Sequence, residues 1–216
     1  MFWSRPMISE DMQDWILECF EWFDDHFEPP KQPILPTKTF FKASGGTGIE
    51  TARGVLNDIQ RHMEFHQQVE LAPLDQVSEE YRIDYRATSL VSGTFQNDAG
   101  VPFIRFDPDL IKRPSLFINT LAHELMHARL SPHVQDVPGG EGAHELATDL
   151  GCIIAGFGVF QMQSADDVGW SGYMSQQSRA YALSVFLQRR NLGPDAVSSH
   201  LSYRCNKLLS RAFKMA

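Results

Sequence analysis

The sequence predicts an α+β fold, mostly helical, with a small β-sheet ahead of a helix that carries "LAHELMHARL" at 121–130. Three observations lead there. Apolar residues recur at three- and four-residue spacing through most of the chain, β-prone runs are confined to its middle, and Pro/Gly clusters punctuate the segments. With 216 residues the expectation is a single domain, 1–216, able to bury its core without disulfide or metal staples.

Ser9 has the chemistry of an N-cap, with Glu10 and Asp11 well placed against the helix dipole, so a helix to about His26 should bury Met12, Trp15, Ile16, Cys19, Phe20 and Phe23. Prolines 29, 30, 33 and 36 impose an extended connection, and "GGTG" at 45–48 precedes a second helix of roughly 49–66. "SLVSGTFQ" and "VPFIRF" flank Asn97-Asp98-Ala99-Gly100 and read as a hairpin with a four-residue turn. Asp107 or Asp109 can cap the next helical entry, and about Ser115 to Leu130 forms the histidine-bearing helix. The loop "SPHVQDVPGGEG" leads to a helix from about Ala143 to Ile154 or beyond; two more follow, 174–190 and about 195–213.

Composition narrows the function classes. Hydrophobic residues at 43% and charged residues at 21% fit a soluble globular protein. A formal charge of −8 speaks against nucleic-acid or anionic-membrane binding, which relies on phosphate neutralisation by Lys and Arg. Eight acids and no Lys or Arg lie between Pro6 and Pro30, whereas the C-terminal helix carries Arg204, Lys207, Arg211 and Lys214. Solvated faces explain both stripes, and pairing of the two helices is the sharper alternative. Three scattered cysteines suggest a reducing compartment. The N-terminus lacks a basic-then-apolar signal, and the apolar stretch 151–160 is half the roughly 20 residues of a membrane span, so a cytoplasmic location is expected.

The chemistry concentrates in "HELMH". On a helix advancing about 100° per residue, His123 and His127 leave one face about 40° apart, while Ile118, Leu121 and Leu125 occupy the opposite one. Imidazoles one turn apart can converge on one Zn²⁺, with Glu124 flanking that face in reach of a water on the ion. A catalytic zinc needs a third protein ligand. Glu145 supplies a carboxylate on the next helix, with Asp149 one turn later on its face; His144 is the alternative, about 100° around the helix.

HExxH followed by ExxxD resembles the gluzincin branch of zinc metallopeptidases, the thermolysin-like members of the zincin fold. The resemblance implies His123, His127 and Glu145 as zinc ligands, Glu124 as general base and Asp149 as the residue that orients His123. The chain also looks like small bacterial proteins of unassigned function with an "AHELxH" block and a later "HExxTDL" block, matched here by "AHELMH" and "HELATDL".

The expected activity is peptide-bond hydrolysis of a peptide or protein substrate, with zinc lowering the pKa of water toward about 7 and Glu124 moving its proton. Tyr173, Tyr181, His200 and Tyr203 are candidates to steady an oxyanion, and spacing selects none. A hairpin strand at 89–96 or 102–106 could pair with an extended substrate, and the 131–142 loop could form a rim or lid. Two rival readings stand beside this one: a regulatory or interaction module with a structural or vestigial zinc site, and a zinc hydrolase acting on a non-peptide amide.

Overall fold

The computed structural model describes residues 7–74, 93–98, 101–167 and 172–216. Among these residues the chain is α+β and mostly helical, with one three-stranded sheet. It divides into two compact units, one spanning Leu35–Pro132 and one combining Met1–Ile34 with His133–Ala216.

The Leu35–Pro132 unit holds the sheet. Helix α2 (Ile49–His62) starts after Gly48 as its glycine-rich approach predicts, but it stops short of residue 66. Glu64 turns the backbone to φ 52, and the Phe65 N–H donates back to the Gln60 carbonyl at 2.9 Å, a closure typical of helix C-termini. Strand β1 (Glu70–Pro73) then pairs in parallel with β3 (Val101–Phe106), which pairs antiparallel with β2 (Gly93–Asp98). The predicted hairpin is thus present as strands, but not with the four-residue turn expected: β2 runs on through Asn97 and Asp98, which pair with Pro102 and Val101, while positions 89–92, 99 and 100 lie outside the described residues. Strand β1 has only four residues and ends in proline, too short for its alternation to be read from sequence. Arg53 of α2 donates to the Val69 and Leu71 carbonyls at 3.0 and 3.4 Å, fastening that strand to the helix. Asp107 caps a 3₁₀ turn, Pro108–Lys112, by accepting from the Asp109 N–H at 2.9 Å, and Pro114 opens helix α3 (Pro114–Leu130).

The other unit is helical. In α1 (Glu10–His26) the Ser9 hydroxyl accepts from the Met12 N–H at 3.3 Å, and Ile16, Cys19, Phe20 and Phe23 are buried. Met12 and Trp15 are half-buried rather than core, and the Trp15 indole donates to the Pro138 carbonyl at 2.9 Å. Helix α4 (His144–Cys152) runs into a wide turn at Ile153–Phe157 and continues as α5 (Gly158–Asp167). Gly156 makes the break at φ 95, and its carbonyl accepts from the Ile34 N–H at 2.9 Å.

Helix α6 (Gln176–Gln188) is capped by Ser175. The single helix predicted over 195–213 is instead two, α7 (Asp195–Ser198) and α8 (Tyr203–Ala212), because Ser202 caps a fresh start by accepting from the Cys205 N–H. Helix α1 packs on α4 and α6, and α6 packs on α5 and α8.

The run Gly140–Asp167 is long and apolar enough to cross a membrane by length and composition, yet 78% of its most apolar window is buried inside the protein, as in a core helix. The acidic face of α1 does find a cation, though not on the C-terminal helix: Arg189, at the end of α6, reaches Glu21 and Asp24 at 2.7 Å each. Arg204 of α8 stands 3.5 Å from Asp166 instead.

Candidate metal centre

Helix α3 positions the two histidines. Leu121, Ala122, Leu125 and Met126 are wholly buried, and most other positions of the helix are buried as well. The sequence reading gave this helix one apolar face, and burial on nearly every side follows from its packing on α2 and on strands β2 and β3. Apart from Pro114 and Arg129 near its ends, what escapes burial is a stripe at four-residue intervals, Ser115, Asn119, His123 and His127, each partly accessible. The histidine face is therefore the open face of an otherwise enclosed helix. Arg129, a little further along, donates to the Met63 carbonyl and ties the end of α3 to the end of α2.

On that stripe the two Nε2 atoms approach to 3.0 Å, with ring centroids 4.6 Å apart and planes nearly perpendicular. Two nitrogens bound to one tetrahedral zinc at about 2.0–2.1 Å would stand about 3.3 Å apart, so the pair needs only a small adjustment to share an ion. Glu124 is almost fully buried, at 2% exposure. One ligand atom each from His123, His127 and Glu145 lies within 4.8 Å of the other two. Two imidazoles and one carboxylate match the donor set that zinc accepts in hydrolytic sites. The grouping contains Glu145 and not His144, the alternative raised from sequence.

Glu145 opens α4, and Asp149 follows one turn later at 2% exposure. Asp149 Oδ2 accepts from three donors: the Tyr173 N–H at 2.8 Å, the Met174 N–H at 3.1 Å and Arg179 Nη2 at 3.2 Å. Arg179, on α6, is 3% exposed, and its Nε donates to the buried Gln161 Oε1 at 3.2 Å. Burial pushes the Arg179 guanidinium below its ordinary value, and the charge of Asp149 opposes that shift. Neither Arg179 nor Gln161 was read as part of the site, because no spacing rule links residues 161 and 179 to a helix starting at 144. Asn119 was missed too, although it stands one turn before His123 on the same stripe; its Oδ1 is buried with no hydrogen-bond partner among the described residues.

The four oxyanion candidates now separate. Tyr181 is buried in α6, Tyr203 is 85% exposed at the start of α8, and His200 is partly buried in the turn before α8. Tyr173 is 52% exposed, and its backbone is held by Asp149, one helical turn from Glu145. In the 131–142 loop Val137 and Pro138 are buried and the Pro138 carbonyl accepts the Trp15 indole N–H, while Gln135, Asp136, Gly139, Glu141 and Gly142 are exposed. His133 packs edge-on against Trp22 and His26, at 5.6 and 5.4 Å between centroids. All three cysteines are buried thiols.

No protein-family profile, curated protein or solved structure matches the chain.

Proposed function

We propose that the chain is a zinc-dependent hydrolase of peptide bonds, with His123, His127 and Glu145 holding the ion and Glu124 acting as general base. The observation that carries this reading is the gathering of ligand atoms from His123, His127 and Glu145 within 4.8 Å of one another. The burial of Glu124 next to His123 adds to it, since a buried carboxylate is costly and a purely structural site has no need of one there.

When bound, zinc supplies a Lewis acid that polarises a carbonyl and brings the pKa of water toward about 7. Glu124 accepts the proton of the attacking water and returns it to the leaving amine. Asp149, fixed through Oδ2, would orient His123 and so keep that imidazole in the tautomer suited to ligation. Tyr173, on the segment tied to Asp149, is the candidate donor to the developing oxyanion.

The test is Glu124→Gln, assayed for zinc content and for cleavage of a broad peptide library. Retained zinc with turnover lowered about 10²–10⁴-fold supports the hydrolase. A zinc-loaded parent that cleaves nothing in the library favours a regulatory module, and cleavage of non-peptide amides alone favours the other hydrolase reading.

A further inference from the structure

We propose that Arg179 is a positioning residue of the metal centre that acts through Asp149; this rests on the zinc reading above. The side chains of Asp149 and Arg179 are each 3% exposed and 3.2 Å apart. A buried ion pair loses hydration on both sides and is often no more stabilising than apolar residues of the same volume, so its presence calls for a reason other than stability.

The surroundings are built around it. Gln161, wholly buried, holds Arg179 Nε from behind. Gly172, at φ 92, lies so close that a Cβ there would stand 2.1 Å from Arg179 Nη2 and 2.8 Å from Asp149 Oδ2. Tyr173 and Met174 then place two backbone N–H groups on the same carboxylate oxygen. A guanidinium and two amides on one oxygen fix the rotation of the Asp149 carboxylate. Asp149 shares its helix face with Glu145, so the orientation set by Arg179 on α6 is passed to the ligand-bearing turn of α4 and, on the zinc reading, to His123.

The experiment uses the full chain and Zn²⁺ as the probe, with affinity measured by competition against a chromophoric chelator and folding followed by circular dichroism. Arg179→Met is expected to weaken zinc binding at least about tenfold, the lower end of what outer partners of metal ligands contribute. Arg179→Lys, which restores the charge, is expected to recover part of that loss. Because Arg179→Met leaves a carboxylate buried without its cation and can unfold the chain, the double variant Asp149→Asn/Arg179→Met is measured beside it. The double variant should fold and bind zinc no more tightly than Arg179→Met or Asp149→Asn.

A folded Arg179→Met, or a folded double variant, with parental zinc affinity overturns the inference and leaves the zinc site standing. A lowered melting temperature with unchanged zinc affinity has the same meaning, since that is what a purely structural role produces. A parent chain with no zinc affinity removes the metal centre itself and this inference with it.

Discussion

The Nε2 atoms of His123 and His127 face one another across 3.0 Å on the accessible stripe of α3. At that distance one ring presents an N–H to the lone pair of the other. Two nitrogens sharing one tetrahedral zinc would stand about 3.3 Å apart, so the pair is spaced nearly as a shared ion requires.

Ligand substitutions should separate the members of the centre. His127→Ala and Glu145→Gln are each expected to weaken zinc binding at least about hundredfold, beyond the 10–100-fold range of outer partners. His144→Ala, next to Glu145 but outside the ligand grouping, should keep affinity within a few-fold of the parent. Chelator competition reads all three, and a large loss in His144→Ala would move the third ligand to that residue.

Metal removal should be visible as stability. An ion that binds only the folded chain adds about 2.7 kcal/mol at a free concentration 100-fold above Kd. A thermal melt with and without a chelator checks this, and the shift should vanish in His127→Ala. An equal shift in that variant would place the stabilising ion elsewhere.

His62 should make part of the acid sensitivity of the Leu35–Pro132 unit. Burial pulls its imidazole below the ordinary value of 6.5, and its Nε2 bonds the Phe40 carbonyl at 2.8 Å. The sign follows from proton counts: below pH 6.5 the unfolded chain takes up a proton that folded His62 resists, so stability is lost as pH falls from about 6.5 toward the lower folded value. His62→Gln, which keeps a donor for Phe40, should flatten urea-denaturation stability across that window. An unaltered slope would show that His62 does not couple to unfolding.

Gly156 should tolerate no side chain. Its φ of 95 is strained for any other residue, and a Cβ would come 3.1 Å from Ile34 Cγ1. Gly156→Ala is expected to cost about 1–3 kcal/mol in a denaturant titration. A change below about 0.5 kcal/mol would mean that the turn between α4 and α5 relaxes freely.

Local rules carried much of this fold. Ser9 capped where its side chain and the following acids indicate, Asp107 capped the turn before α3, and the period of 121–130 placed both histidines on one face. The misses share a cause, which is that they depend on contacts distant in the chain. Strand β1 exists because β3 offers it a partner, and the break at residues 199–202 is stabilised by the Ser202 hydroxyl donating to Asp166. Arg189, the cation that meets the α1 acids Glu21 and Asp24, is not marked in the sequence because no charge run surrounds it. For the candidate site, the grouping of His123, His127 and Glu145 was legible in the sequence, whereas the contacts of Arg179 and Gly172 with Asp149 become visible only once α6 lies beside α4.

The most direct measurement is a crystal structure of the full chain grown with zinc, with the ion located by anomalous scattering at its absorption edge. One strong peak is expected, bonded to His123 Nε2 and His127 Nε2 at about 2.0–2.1 Å and to a Glu145 carboxylate oxygen at about 2.0–2.2 Å. A peak bonded to other residues, or a Glu145 carboxylate turned away from the histidine pair in a zinc-soaked crystal, would contradict it.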